Sequence, residues 1–266
     1  MKDQEKPQIN NDIISMHEEL ISWRKELNKM PESSSHELNT TNFLEDKLKS
    51  FGMEVDRTSG SAGVVGIMKK GASHRSLALR VAINAYFDGE KLNHKAGHDG
   101  DMTILLGIAR YMALHKEFDG TLYFIFQSSE DISSELKEAS FQKWLLSKYS
   151  LDFIFGLHNV PFGIGTIVIE DVDLEGENLE VAQREAKSIA RMVVEEDKIL
   201  HEPKISAYSE DFNSYLSNTP GVFVGIGNGV NFIPHEERYQ FNDFIIPLGV
   251  QYGVELSEHV LTNWVM

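Results

Sequence analysis

The run Leu77-Ala78-Leu79-Arg80-Val81-Ala82-Ile83 is apolar at every position but one. A strand with one wet face places polar side chains at alternate positions. A nearly continuous apolar run of strand length predicts a central strand covered on both faces. Comparable runs recur at Thr121–Phe126, Leu151–Leu157, Thr166–Ile169 and Val222–Ile226. The stretches between them carry helical periodicity instead. Asp101 to about Leu114 places Leu105, Ile108, Ala109 and Met112 on one face. Leu179–Ile199 does the same with Val181, Ala186, Ile189, Ala190, Val193 and Val194, and Pro247–Leu261 closes the chain. Ahead of the first central run, a helix is predicted from Asn11 or Asp12 to about Asn28. A second opens on a Ser34/Glu37 capping box and ends at Gly52, followed by strands at Met53–Asp56 and Val64–Met68. Strands alternating with helices predict an α/β fold: a mostly parallel mixed sheet with helices on both faces. Residues 1–11 read as a frayed polar tail and 12–266 as one domain.

Composition narrows the function. The net charge of −16 disfavours nucleic acid and anionic membranes as partners. With no cysteine, disulfides and thiolate metal sites are excluded, so a metal here needs His, Asp or Glu. No apolar run approaches the roughly 20 residues that span a bilayer, and Met1–Pro7 lacks the apolar core of a signal peptide. A cytoplasmic location is the expectation.

Polar residues with ligand chemistry collect where the predicted strands end. His94-Lys95-Ala96-Gly97-His98-Asp99-Gly100-Asp101 precedes a helix; Gln127-Ser128-Ser129-Glu130-Asp131, Gly156-Leu157-His158-Asn159 and Ile233-Pro234-His235 follow or end other runs. In an open α/β sheet the C-terminal ends of parallel strands form one ligand-binding edge. Four distant segments are therefore expected to build a single site.

These segments resemble, in order, the signatures of M20 metallopeptidases of the aminoacylase, hippurate-hydrolase and auxin-conjugate-hydrolase branch. Trp23-Arg24-Lys25-Glu26-Leu27 with Pro31-Glu32 is similar to the opening signature, and Gly97-His98-Asp99-Gly100 to CGHDGH. Phe126–Asp131 resembles FQPAEE and Phe155–Asn159 resembles FGLHN; Ser209–Phe212, Pro220-Gly221, Gly225–Gly227 and His235 with Phe241–Asp243 follow in the family's order. The resemblance implies a zinc-peptidase-like α/β/α sandwich, with Glu130 as general base and His98, Asp131, His158 and His235 as metal ligands. It also implies a lid and dimerisation domain between Thr166 and Leu179. Only Glu170 to Asn178 lies there, so the lid is expected to be missing and the protein monomeric.

The departures bear on chemistry. The family's metal-bridging cysteine is Ala96, and the second histidine of CGHDGH is Asp101. RADMDAL becomes Arg80-Val81-Ala82-Ile83-Asn84-Ala85-Tyr86, losing both aspartates, and Asn28 and Met30 stand for the histidines of the opening signature. Fewer anions would face two mutually repelling dications, so a binuclear site is not expected. The expectation is one weakly held Zn²⁺ or Mn²⁺, or none. Two functions follow: a descendant hydrolysing N-acyl amino acids or peptide-like amides with impaired or absent catalysis, or a non-catalytic pseudoenzyme serving as a binding or regulatory protein.

Overall fold

The structure is a computed structural model describing residues 8–34, 36–57, 63–115, 118–128, 140–170, 177–202 and 209–263. In chain order the elements are α1 (Asn11–Ser15), α2 (His17–Asn28), α3 (Leu38–Ser50), β1 (Glu54–Arg57), β2 (Gly63–Lys70), β3 (Ser76–Ala82) and the short pair β4 (Tyr86–Phe87) and β5 (Leu92–Asn93). They continue with α4 (His98–His115), β6 (Gly120–Gln127), α5 (Ser140–Lys148), β7 (Phe153–Val160), β8 (Ile167–Glu170), α6 (Glu177–Val193), β9 (Ile199–Glu202), α7 (Ser209–Leu216), β10 (Gly221–Gly227) and α8 (Ile246–Asn263).

Among the described residues, eight strands form one mixed sheet in the order β1-β2-β6-β3-β7-β10-β8-β9. The centre, β6-β3-β7-β10, is parallel. β2 and β8 flank it antiparallel, β1 lies antiparallel to β2, and β9 lies parallel to β8. Side chains alternate across the central strands as a period of two requires. Leu77, Leu79 and Val81 join Phe124, Phe155 and Val224 in the core beneath α2, α3, α4, α6 and α8. Ala78, Ile125, Ile154 and Phe223 face the opposite layer with Phe141 and Leu145 of α5 and Phe212 and Tyr215 of α7. This is the three-layer sandwich expected from the alternating pattern. Residues 171–176 are all that separates β8 from α6.

Local details depart from the sequence reading. The first helix is broken at Met16. The capping box at α3 does not form. Glu32 caps that helix, its Oε1 accepting from the Asn39 backbone N–H at 3.0 Å and its Oε2 from that of Thr40 at 2.8 Å. The helix expected to reach Ile199 stops at Val193, and Ile199–Glu202 becomes an edge strand. Glu195-Glu196-Asp197 supply the reason, since consecutive acids oppose the negative C-terminal end of a helix dipole. The helix expected from Asp101 begins at His98, because the Gly97 carbonyl already accepts from the Gly100 and Asp101 N–H groups. β7 also runs on to Val160, so His158 and Asn159 lie inside a strand. Among the described residues no helix is long and apolar enough to cross a membrane.

Glu37, the expected cap partner, turns inward. It is 1% exposed, its Oε1 accepts from the Ser128 hydroxyl at 2.5 Å, and its Oε2 has no hydrogen-bond partner among the described residues. Burial pushes its carboxyl up to about 7 from 4.5. The folded state therefore holds one proton more than the unfolded chain between those values, and stability falls as pH rises through them by up to roughly 3 kcal/mol. Glu37→Gln is expected to remove that slope, leaving the variant the more stable above neutrality. Urea unfolding of both proteins at about pH 5 and about pH 8 measures it.

Candidate metal centre

The site is built where β7 outruns its neighbour. β3 pairs with β7 only as far as Arg80 opposite Gly156, whereas β10 stays paired to Val160. The last residues of β7 therefore meet the first turn of α4 directly. Gly97, at φ +83°, turns the chain into that helix. A Cβ there would stand 2.0 Å from the Tyr239 hydroxyl and 2.3 Å from Asn159 Nδ2. Only glycine meets both the left-handed backbone and the close approach.

His98 opens α4 and is 1% exposed. Its Nδ1 lies 2.7 Å from the backbone carbonyl oxygen of Asn84, just past β3. A carbonyl only accepts, so the proton sits on Nδ1 and the lone pair on Nε2. Burial, followed by repulsion from His158, holds this imidazole well below its ordinary pKa. The ring is therefore neutral.

His158 receives the matching arrangement from a side chain. Its Nδ1 donates to Asp101 Oδ2 at 2.6 Å, and both residues are buried. Asp101 Oδ1 accepts from the Asn159 backbone N–H at 2.9 Å, and Asn159 Nδ2 lies 3.2 and 3.1 Å from the two oxygens. Burial pushes the Asp101 carboxyl up, and these donors oppose the shift. Asn159 Nδ2 also donates to the Ala96 carbonyl at 3.1 Å, while Asn159 Oδ1 accepts from Tyr239 Oη at 2.7 Å. The His98 and His158 rings lie 5.4 Å apart between centroids. One ligand atom each from His98, Asp101 and His158 falls within 4.8 Å of the others.

Asp99 faces the other way. Wholly buried, its Oδ2 accepts from Arg24 at 3.0 Å and from Asn28 Nδ2 at 2.9 Å. Arg24 also pairs with Asp243, whose backbone carbonyl lies 2.8 Å from His17 Nε2. These contacts tie α2 and the approach to α8 onto the first turn of α4.

The expected site residues divide by position. His98 and His158 come together. Glu130 and Asp131 lie outside the described residues. His235, at φ +71°, packs its ring edge-on against Tyr86 at 4.1 Å, and its backbone N–H donates to the Lys95 carbonyl. Half burial, then His158, lower its pKa. It is not one of the three residues grouped within 4.8 Å. The sequence motifs place Asp101 and Asn159 at the site without assigning either a role, and do not point to Tyr239. An acid at a position where a histidine is expected, opposite a His-Asn pair, is the signal that was there to find.

The donor set suits one ion. Two imidazoles with their Nδ1 atoms engaged by oxygens are a donor pair suited to Zn²⁺ or Mn²⁺. Ala96, where the family motif has its bridging cysteine, is buried and carries no donor atom. Gly97→Ala should lower unfolding stability by about 2 kcal/mol or more through strain and overpacking. Urea titration of the metal-free protein tests this; an unchanged midpoint would contradict the packing described.

Known proteins resemble this chain in sequence and fold. The model of "Peptidase family M20/M25/M40" matches residues 91–259. The hippurate hydrolase of Campylobacter jejuni is 36% identical over 163 residues, covering 57% of this chain and 42% of that protein. The N-acetylcysteine deacetylase of Bacillus subtilis is 29% identical over 171 residues, covering 59% and 44%. The matched stretch is thus under half the length of these curated relatives. Among solved structures, a dinuclear metal binding M20 peptidase of Bacillus subtilis superposes with a TM-score of 0.75 at 19% identity, covering 94% of this chain and 100% of that one. An aminopeptidase of Legionella pneumophila gives 0.71 at 11% identity, covering 100% and 79%. The structural likenesses establish the fold; with most of the chain matched by the family model, the protein belongs to peptidase family M20/M25/M40.

Proposed function

We propose that this protein is an M20-type amidohydrolase descendant that holds a single divalent metal and acts on N-acyl amino acids or similar peptide-like amides, with catalysis reduced from that of a two-metal enzyme. The observation that carries this reading is the pair of buried histidines, each with Nδ1 engaged by an oxygen, presenting ligand atoms beside Asp101. The substrate class is supported by relatives named N-acetylcysteine deacetylase and N-acetyldiaminopimelate deacetylase.

His98 and His158 would hold the ion through Nε2, with Asp131 and His235 completing the set implied by the family motifs. A Zn²⁺ or Mn²⁺ held there supplies Lewis acidity toward an amide carbonyl and lowers the pKa of water. Glu130 accepts the proton released as water attacks and returns it to the leaving amine. His98 stays neutral because it is buried, so it offers a lone pair across the neutral pH range. Asp99, clamped by Arg24 and Asn28, keeps the first turn of α4 from moving as the ligands take up charge.

Reduced catalysis is argued from Ala96 and Asn84. Neither supplies the anion that would allow two ions to sit about 3.5–4 Å apart. The same residues favour a second reading, a non-catalytic binding protein on the M20 scaffold. A monomer without a lid fits the short 171–176 connection between β8 and α6.

Plasma mass spectrometry on protein purified without chelator or affinity tag should find about one zinc or manganese per chain, lost in His98→Ala. With metal bound, N-acetyl amino acids should be hydrolysed, and Glu130→Gln should lower kcat by about 100-fold or more. Bound metal without turnover on any N-acyl amino acid would select the binding-protein reading. No metal after soaking with Zn²⁺ or Mn²⁺ would refute both the site and the hydrolase. Sedimentation should give a monomer at micromolar concentration; a stable dimer would contradict the lidless reading.

A further inference from the structure

The carboxylate of Asp101 is committed within the protein. Oδ2 accepts from His158 Nδ1 at 2.6 Å and from Asn159 Nδ2 at 3.1 Å, and Oδ1 from the Asn159 backbone N–H at 2.9 Å and Nδ2 at 3.2 Å. Asn159 Nδ2 spends one of its two hydrogens on the Ala96 carbonyl and shares the other between the two oxygens, so three N–H groups, one of them the His158 ring, meet the carboxylate. An oxygen of Asp101 lies within 4.8 Å of ligand atoms of His98 and His158, and its shortest contact, 2.6 Å from Oδ2, is to the His158 ring. We propose that Asp101 is a positioning residue for a divalent cation, acting through His158: it holds the imidazole proton on Nδ1 and so dedicates Nε2 to the ion. This inference rests on the metal site proposed above at His98 and His158.

The neighbours of Asp101 make the assignment specific. The Asn159 backbone N–H can only donate. Asn159 Nδ2 is fixed as the donor end of its amide because Oδ1 accepts from Tyr239 Oη. His158 alone can change its role, by moving its proton to the other nitrogen. The two histidines are therefore controlled differently. His98 takes its tautomer from the Asn84 backbone carbonyl, which no side-chain substitution alters. His158 takes its tautomer from a side chain. Asp101 also places a buried negative charge one residue behind the ligand, in a site where Ala96 supplies none. Outer carboxylates of this kind raise the basicity of a histidine ligand as well as aligning it.

Asp101→Asn keeps the shape and inverts one contact. An amide must turn its NH₂ toward one of these donors, and only His158 can yield, by carrying its proton on Nε2 and losing its metal-facing lone pair. Zn²⁺ affinity, measured by competition with a chromophoric chelator, should fall about 10- to 100-fold in this variant. In metal-free protein with ¹⁵N-labelled histidine, long-range ¹H–¹⁵N correlation spectra should show His158 as Nδ1–H in the wild type and Nε2–H in Asp101→Asn. His98 should remain Nδ1–H in both, with His158→Gln assigning the signals. If the wild type binds no Zn²⁺, the metal site itself is refuted. If the wild type binds Zn²⁺ and Asp101→Asn binds it equally well, the role of Asp101 is overturned and the metal site stands. Should the variant fail to fold, the wild-type tautomer decides: Nδ1–H on His158 supports the inference, and Nε2–H overturns it.

Discussion

A carboxylate buried as fully as Asp101 must be met by donors on every side, because an uncompensated charge in the interior costs several kcal/mol. Here the donors come from one strand: the His158 ring, the Asn159 backbone and the Asn159 amide. That requirement sets much of the surrounding architecture. β7 must extend past β3, α4 must begin at His98, and Gly97 must take a left-handed conformation so that Asn159 and Tyr239 fit against it. A shift of the helix relative to the strand would break these contacts together.

Asp99 applies the same principle in the opposite direction. Residues two apart on a helix do not share a face, so Asp99 reaches α2 through Arg24 and Asn28 while Asp101 reaches β7. Both acids lie in the first turn of α4, where the helix dipole favours negative charge. One acid holds the scaffold and the other faces the paired histidines. Asn28, which stands where the family motif has a histidine, serves this arrangement as a hydrogen-bond donor.

The chemistry proposed for this centre follows from what surrounds the histidines. Their geometry is supported by buried oxygens, while the anion that would join two cations has no counterpart at Ala96. Good support with few anions among the described residues is what favours one ion over two in this proposal. The Asp101–His158 pair then matters more than it would in a centre richer in anionic ligands, because it places a buried carboxylate directly behind a histidine.

The local pattern of residues determined the layers of this protein. Continuous apolar runs mark strands buried on both faces, and helical periodicity between them leaves few other folds open; the order of short motifs was enough to indicate the family. Tertiary structure decided what each polar residue does. Nothing adjacent in sequence shows that Glu32 caps α3 while Glu37 turns inward to Ser128. Nor does local pattern show that Ile199–Glu202 leaves its helix to pair with β8, or that Asp101 meets His158. The physical reason is that apolar burial follows from periodicity along the chain, whereas a buried polar group depends on partners that only the packed sheet and helices bring within reach.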